Sequence, residues 1–424
     1  MVHSGLPRWV QRARRWARAA CRLGVVAAAS GLVAACATNF GGAGNVTSAL
    51  SGQTEPLPPG RPQKPVRIGL LLPLSGYGPQ AVTGKGLKQA AELALLDLDN
   101  PLVQLIVKDD KGTPQGAQQA AQEAIGEGAE IIVGPITGAG ASAAAAAARG
   151  SNVPVLTFSN DRRAAGNGVY LMGVLPEQEV ERIVSYAARQ GKRRFAALVP
   201  DDAYGQVVEP AFRQAVQRNG GTVAAVAAYP LEANAMLGPV RLLADEVQQS
   251  ADSAAPIDAL LVAAGQEMLP QIDPILTYAG IRSDRIQLLG TGGWDFPNAG
   301  RSPAFLRGWY PGTDPHGWAD FAQRFSRSFG QAPPRLASLA YDAVSIAITL
   351  SSAEPGQRYT SAALTRPAGF SGIDGPLRFR ADGVSERALA VLELQAFGGN
   401  VLEPAQGATA APDGRVSAGA GGQP

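Results

Sequence analysis

The residues best placed to meet a ligand lie where apolar runs give way to short polar loops. Residues 67–77 read RIGLLLPLSGY, so Ser75, Gly76 and Tyr77 follow an apolar run ended by Pro73. If that run is a buried strand and a helix follows, these residues sit at the strand's carboxyl end, and free N–H groups at the helix start face them. Such a place recognises an anionic group by hydrogen bonds. Catalytic chemistry lacks its parts. His3 and His316 are the only histidines, so Ser75 has no base in prospect, and no G-x-S-x-G elbow occurs. Gly84-Lys85 fails as a phosphate loop, because Pro79 stands where the first glycine belongs and Gly86 where Ser or Thr belongs. Asp109 and Asp110 end a second apolar run, where solvation or turn-making is their expected role.

The elements that must position such loops alternate regularly. Ile68 to Leu72 is a continuous apolar run of the kind a strand covered on both faces needs, and from Leu87 the positions Leu87, Ala90, Ala91, Ala94 and Leu95 recur at helical spacing. Strands are expected at 103–108, 130–133 and 153–157, with helices at 114–127 and 140–149 between them. A second set follows, with strands at 194–199, 223–229, 259–264 and 287–290 separated by helices. This rhythm predicts parallel sheets wrapped by helices, in two Rossmann-like lobes. No short internal repeat is visible.

The N-terminus bears on location. Six arginines precede an apolar, small-residue segment, 23–35, that is too short to span a bilayer as a helix. Val33-Ala34-Ala35-Cys36 resembles a bacterial lipobox, which makes 1–35 a lipoprotein signal peptide and Cys36 the lipidated residue. Ala37 in place of an aspartate points to the outer membrane. Six of the 37 basic residues would leave with the signal, so 31 would face 35 acidic ones, and nucleic acid is not an expected partner. Cys21 would go and Cys36 be acylated, leaving no disulfide and no Cys-based metal site. Residues 36–65 read as a flexible tether and 404–424 as a disordered tail. The stretch between them exceeds what one core supports, roughly 250 to 300 residues, so two lobes are expected.

Several motifs in order, RIGLLLPLSGYG, IIVGPITGAGAS, VPVLTFSND, DDAYGQ, AYDAV and GFSGIDGPLRF, resemble type I periplasmic binding proteins of the leucine/isoleucine/valine-binding class. The resemblance covers about 66–400. It implies two α/β lobes joined by three crossovers, near residues 171–175, near 309–312 and shortly before Ala390. The first lobe would then comprise 66–173 and 312–387, the second 174–311 and 388–403.

In that family a solute sits between the lobes. Carried onto this chain, the resemblance puts Thr137 and Gly138 after one strand, and Thr157, Ser159 and Asn160 after the next, as the grip on a ligand's carboxylate. Such hydroxyls and N–H groups donate hydrogen bonds without adding a desolvated charge. Ser75 and Tyr77 would flank the same cleft. From the second lobe Tyr204 and Gln266 would reach the ligand. Amino-acid binders of the family often carry an acid directly after the strand ending at Gly290. This chain reads Thr291-Gly292-Gly293-Trp294-Asp295, so Asp295 is the acid that would substitute as the ammonium's partner.

The resemblance thus implies a non-enzymatic periplasmic lipoprotein that binds a small carboxylate or amino-acid-like solute, needing no cofactor and no metal. The alternative is similarity to the C-terminal domain of penicillin-binding protein activators, outer-membrane lipoproteins that contact a class A peptidoglycan synthase. The lipobox with Ala37, the tether and the displaced acid fit that reading too.

Overall fold

A computed structural model describes residues 64–75, 78–251, 253–281, 283, 285–313 and 315–405, all within the unit Pro62–Pro424. Tyr77, Cys36, the signal segment and nearly all of the tether and tail lie outside the described residues.

The first sheet holds five parallel strands in the order β2-β1-β3-β4-β5: β1 Val66–Leu72, β2 Val103–Asp109, β3 Ala129–Val133, β4 Val155–Thr157 and β5 Val169–Leu171. Its helices are α1 Pro79–Leu98, α2 Pro114–Gly126 and α3 Gly138–Ala148. Side chains alternate across β1. Ile68, Leu70 and Leu72 enter one core with α1, whereas Leu71 enters the other beneath the alanines of α2 and α3. Each fully buried leucine contributes about 1.5 to 3 kcal/mol, which is why a continuous apolar run suits a strand covered on both faces.

Helix α1 starts at Pro79, eight residues before the periodicity at Leu87 announces it, and Gly84 and Gly86 lie inside it. Both mark close approach. A Cβ on Gly84 would fall 2.2 Å from the Pro73 carbonyl oxygen, and one on Gly86 would fall 2.5 Å from the Pro334 ring. The second turn of α1 therefore packs on Pro73 at the end of β1, which a larger residue would prevent.

The second sheet has seven strands in the order β15-β14-β10-β9-β8-β6-β7. Five are parallel: β6 Arg194–Pro200, β7 Thr222–Tyr229, β8 Ala259–Val262, β9 Gln287–Gly290 and β10 Trp309–Gly312. Helices α4 Pro176–Arg189, α5 Gly205–Arg218, α6 Ala233–Ser250 and α7 Leu269–Tyr278 cover its faces. Two antiparallel strands, β14 Ala390–Leu394 and β15 Gly399–Glu403, finish one edge. Helices α8 Pro315–Phe329, α9 Ala337–Ser351 and α10 Ser361–Leu364 return to the first core, with a three-stranded antiparallel sheet of β11 Phe370–Gly372, β12 Gly375–Phe379 and β13 Ser385–Arg387. The parallel sheets are as the sequence predicts, and these antiparallel strands are added to them. The pairs β11–β12, β12–β13 and β14–β15 have connections too short for a crossover helix and form hairpins, whereas β14 runs antiparallel to β10 only after the chain has passed through the first lobe.

The chain crosses between the two sheets' lobes three times, from β5 to α4, from β10 to α8 and from β13 to β14. The first and third crossings are tied together. Buried Ser385 donates to the Gly173 carbonyl at 3.2 Å, and its own carbonyl accepts from Gln178 Nε2 at 3.0 Å.

Candidate functional site

The strand orders place the cleft. In the first sheet the chain leaves β1 for β2 on one side and then moves to β3 on the other. In the second sheet β6 lies between β7 and β8 in the same way. The crevice at such a switch, outside the strands' carboxyl ends, is where open α/β sheets take ligands.

On the first lobe's side, Ser75 hydrogen-bonds Asp109 just past β1. Partial burial pushes the Asp109 carboxyl up, but hydrogen bonds from Ser75 and from the N–H groups of Leu74 and Lys111 outweigh this and hold it below the usual range. Thr137 is exposed and caps α3, its Oγ1 accepting from Gly140 N at 3.1 Å. Its hydroxyl hydrogen is left to give. The next N–H groups, at Gly138 and Ala139, start the helix and have no partner within it. Asp161 lies over Gly138, where an added Cβ would sit 2.7 Å from Asp161 Oδ2, and Arg163 neutralises that carboxylate at 2.8 Å.

Thr157 is fully buried and gives its single hydroxyl hydrogen to the Pro135 carbonyl at 2.7 Å while accepting from Ser159 N at 3.2 Å. It shapes the loop, and in this arrangement it has no hydrogen for a carboxylate. Ser159 Oγ accepts from Asp161 N at 3.0 Å and keeps its own hydrogen, and Asn160 is exposed beside it.

On the second lobe's side, Asp202 fixes the loop before α5 by accepting from the N–H groups of Tyr204 and Gly205, both at 2.9 Å. The Tyr204 hydroxyl donates to Thr291 Oγ1 at 3.0 Å, and burial raises its pKa. Gln266 is exposed past β8. Asp295 does not stand free as an ammonium partner: its Oδ2 accepts from Arg335 Nε at 2.9 Å, an ion pair that reaches across to the first lobe.

Glu179, in the first turn of α4, was not singled out by sequence. Its Oε2 accepts from Gly292 N at 3.1 Å, and it lies close enough to Tyr204 to raise that phenol further. Burial pushes its carboxyl up to about 8, the Gly292 N–H opposing and the Asp295 charge adding to the rise. One acid in a helix's first turn, where acids are common, gave no signal in the sequence. Arg335, after Pro333-Pro334 in a loop, gave none either.

A cavity of about 50 Å³ beside Thr137, lined by Gln80, Asp110 and Ile136, has room for water and not for an amino acid. A concavity of about 1070 Å³ lies at the opposite, N-terminal edge of the first sheet, around Gly128, Gly168 and Arg358. Among the described residues no group of three or more His, Cys, Asp or Glu is placed to hold a metal ion, and no helix is long and apolar enough to cross a membrane.

A family model described as periplasmic binding protein matches residues 65–400. Among curated relatives, a Leu/Ile/Val-binding protein of Rhizobium johnstonii is 27% identical over 169 residues, covering 37% of this chain and 45% of that protein. An uncharacterized protein of Rickettsia prowazekii is 24% identical over 198 residues, covering 46% and 52%. The chain thus spans about half the length of the curated relatives it matches. An ABC transporter substrate-binding protein of Desulfitobacterium hafniense, solved in complex with Leu, superposes with a TM-score of 0.65 at 18% identity, covering 80% of this chain and 100% of that one. A solute binding protein of Rhodopseudomonas palustris in complex with 3,4-dihydroxy benzoic acid gives 0.62 at 20%, covering 81% and 99%. At these identities the solved structures speak to the fold, which is that of the type I periplasmic binding proteins.

Proposed function

The chain belongs to the periplasmic binding protein family, and we propose that it works outside the cytoplasm as a non-enzymatic, lipid-anchored binding protein for a small carboxylate or amino-acid-like solute. The lobes that take the solute are 66–173 with 312–387, and 174–311 with 388–403. The observation that carries this reading is the division of labour between the cleft walls. One wall offers hydroxyl and N–H donors at Thr137, Gly138 and Ser159. The other offers a half-buried carboxyl at Glu179 beside Tyr204 and Thr291. A carboxylate needs the first set, and an ammonium needs the second. Related folds are described with leucine, with isoleucine and with benzoate, which share the carboxylate.

Thermal unfolding of the protein with amino acids, aromatic acids and peptidoglycan fragments tests the proposal. A solute at about a hundred times its dissociation constant adds roughly 2.7 kcal/mol and raises the midpoint by a few degrees. A saturable shift with one class supports solute binding. The anchor is tested separately: Cys36→Ala is expected to move the protein from the membrane fraction to the soluble one.

One observation favours the second reading, contact with a class A penicillin-binding protein at the outer membrane: Asp295 spends its charge on Arg335 instead of facing the cleft alone. No shift with any solute, together with capture of a purified synthase, would select it.

A further inference from the structure

Arg335 is held almost entirely by the first lobe. Nη1 donates to Ser338 Oγ at 3.1 Å and to Asp374 Oδ2 at 3.2 Å, and Nη2 donates to Thr313 Oγ1 at 2.6 Å and to Asp374 Oδ1 at 2.9 Å. The Trp318 ring covers one face, its centroid 4.5 Å from the guanidinium carbon. Asp374 is itself pinned, by Ser338 at 2.6 Å and Thr313 at 3.0 Å. Thr313 lies in the second crossing, between β10 and α8, so the guanidinium is fixed where the chain passes from one lobe to the other. One donor, Nε–H, is turned to the second lobe, where it meets Asp295 Oδ2 at 2.9 Å. That side is rigid too. Asp295 donates its N–H to the Gly292 carbonyl at 3.0 Å and follows Trp294, which is fully buried against Phe305 with its indole N–H on the Val262 carbonyl.

We infer that the Asp295–Arg335 pair is an interlobe lock, which sets the angle between the lobes through the protein's own charges without a solute to bridge them. Ordinary surface pairs are weak because two long side chains must be ordered and because salt screens them. Here Arg335 is ordered by four other hydrogen bonds, and the two side chains are only 22% and 33% exposed. A second interlobe pair, Arg162 with Glu177 at 3.3 Å, is more exposed and stands beside the first crossing, where it has little leverage. A solute's contribution to closure is then added to an equilibrium already biased by the lock, which makes Asp295 a determinant of affinity even without touching the solute.

The inference does not depend on which solute binds, or on whether one does, and it is tested with none present. In the full chain carrying Cys21→Ser and Cys36→Ser, nitroxide labels at Gln118→Cys on α2 and Gln217→Cys on α5 report the interlobe distance by double electron–electron resonance. The protein is unfolded and refolded first, to remove any bound solute. A narrow distance distribution is expected, which shifts and broadens in Asp295→Asn and further in Asp295→Lys. Superimposed distributions for all three proteins would overturn the lock. They would leave solute binding to be judged by the unfolding assay.

Discussion

Glu179 Oε2 and the Gly292 N–H meet at 3.1 Å, joining the first turn of α4 to the loop after β9 across 113 residues. Gly292 is what allows it, since a Cβ there would fall 2.3 Å from Glu179 Oε1. Glu179 is therefore an acid that holds its proton near neutral pH, because desolvation pushes it up to about 8.

That shift has a signed consequence for stability. An unfolded glutamate ionises near 4.3, so between that value and about 8 the unfolded chain releases a proton that the folded chain keeps. The contribution is full below about pH 4 and is lost as pH rises through 8. Glu179→Gln is expected to remove this slope, so its midpoint gains on the parent's steadily from pH 5 to pH 8.5. Parallel midpoint curves for the two proteins would refute the buried acid.

If Glu179 pairs with a solute's ammonium, it must ionise to do so. Affinity for an α-amino acid is then expected to rise by up to about tenfold per pH unit below 8, while a carboxylate without an amino group shows no such rise. Calorimetric titration at pH 6, 7 and 8 measures both. Equal pH dependence for the two solutes would remove Glu179 from that role.

Thr137 and Ser159 separate stability from binding. Thr137→Ala loses the cap on α3 and is expected to cost about 1 kcal/mol of stability, which Thr137→Ser restores. Ser159→Ala and Thr137→Ala should each weaken a carboxylate solute by roughly 1 to 3 kcal/mol. Titration alongside unfolding reads both, and unchanged affinity in both variants would place the carboxylate elsewhere.

Glycine at 84 is expected to be irreplaceable where glycine at 126 is not. Gly84→Ala drives a Cβ against the Pro73 carbonyl and should cost at least about 1 to 3 kcal/mol. Gly126, with open space at the end of α2, should accept alanine with a gain of up to about 1 kcal/mol. Denaturant midpoints compare the two directly.

The buried pair of Asp342 and Arg387, 3.1 Å apart and each side chain 1% exposed, anchors β13 just before the third crossing. Two further nitrogens of Arg387, Nε and Nη1, have no hydrogen-bond partner. Asp342→Asn would take away that cation's hydrogen-bonded partner and leave it only the Asp374 charge, and is expected to cost about 3 kcal/mol. Replacing both, as Asp342→Leu with Arg387→Met, should cost less than the single change. The opposite ranking in chemical unfolding would show that the pair itself, and not the stranded charge, stabilises the fold.

The alternation of apolar runs with helical spacing was sufficient to predict two α/β lobes, because burial on both faces of a sheet and on one stripe of a helix is a local property of the chain. Loop positions such as Thr137, Ser159 and Tyr204 were singled out by the resemblance to the binding-protein family, and not by periodicity. Glu179 and Arg335 were not legible. Their chemistry is made by what faces them: Gly292 lies 113 residues from Glu179, and Asp295 and Asp374 lie 40 and 39 residues from Arg335. The start of α1 was hidden likewise, because Gly84 and Gly86 read as loop until Pro73 and Pro334 are seen against them. A sequence fixes which elements form, but burial, desolvation and pairing are set by neighbours that only the folded chain brings together.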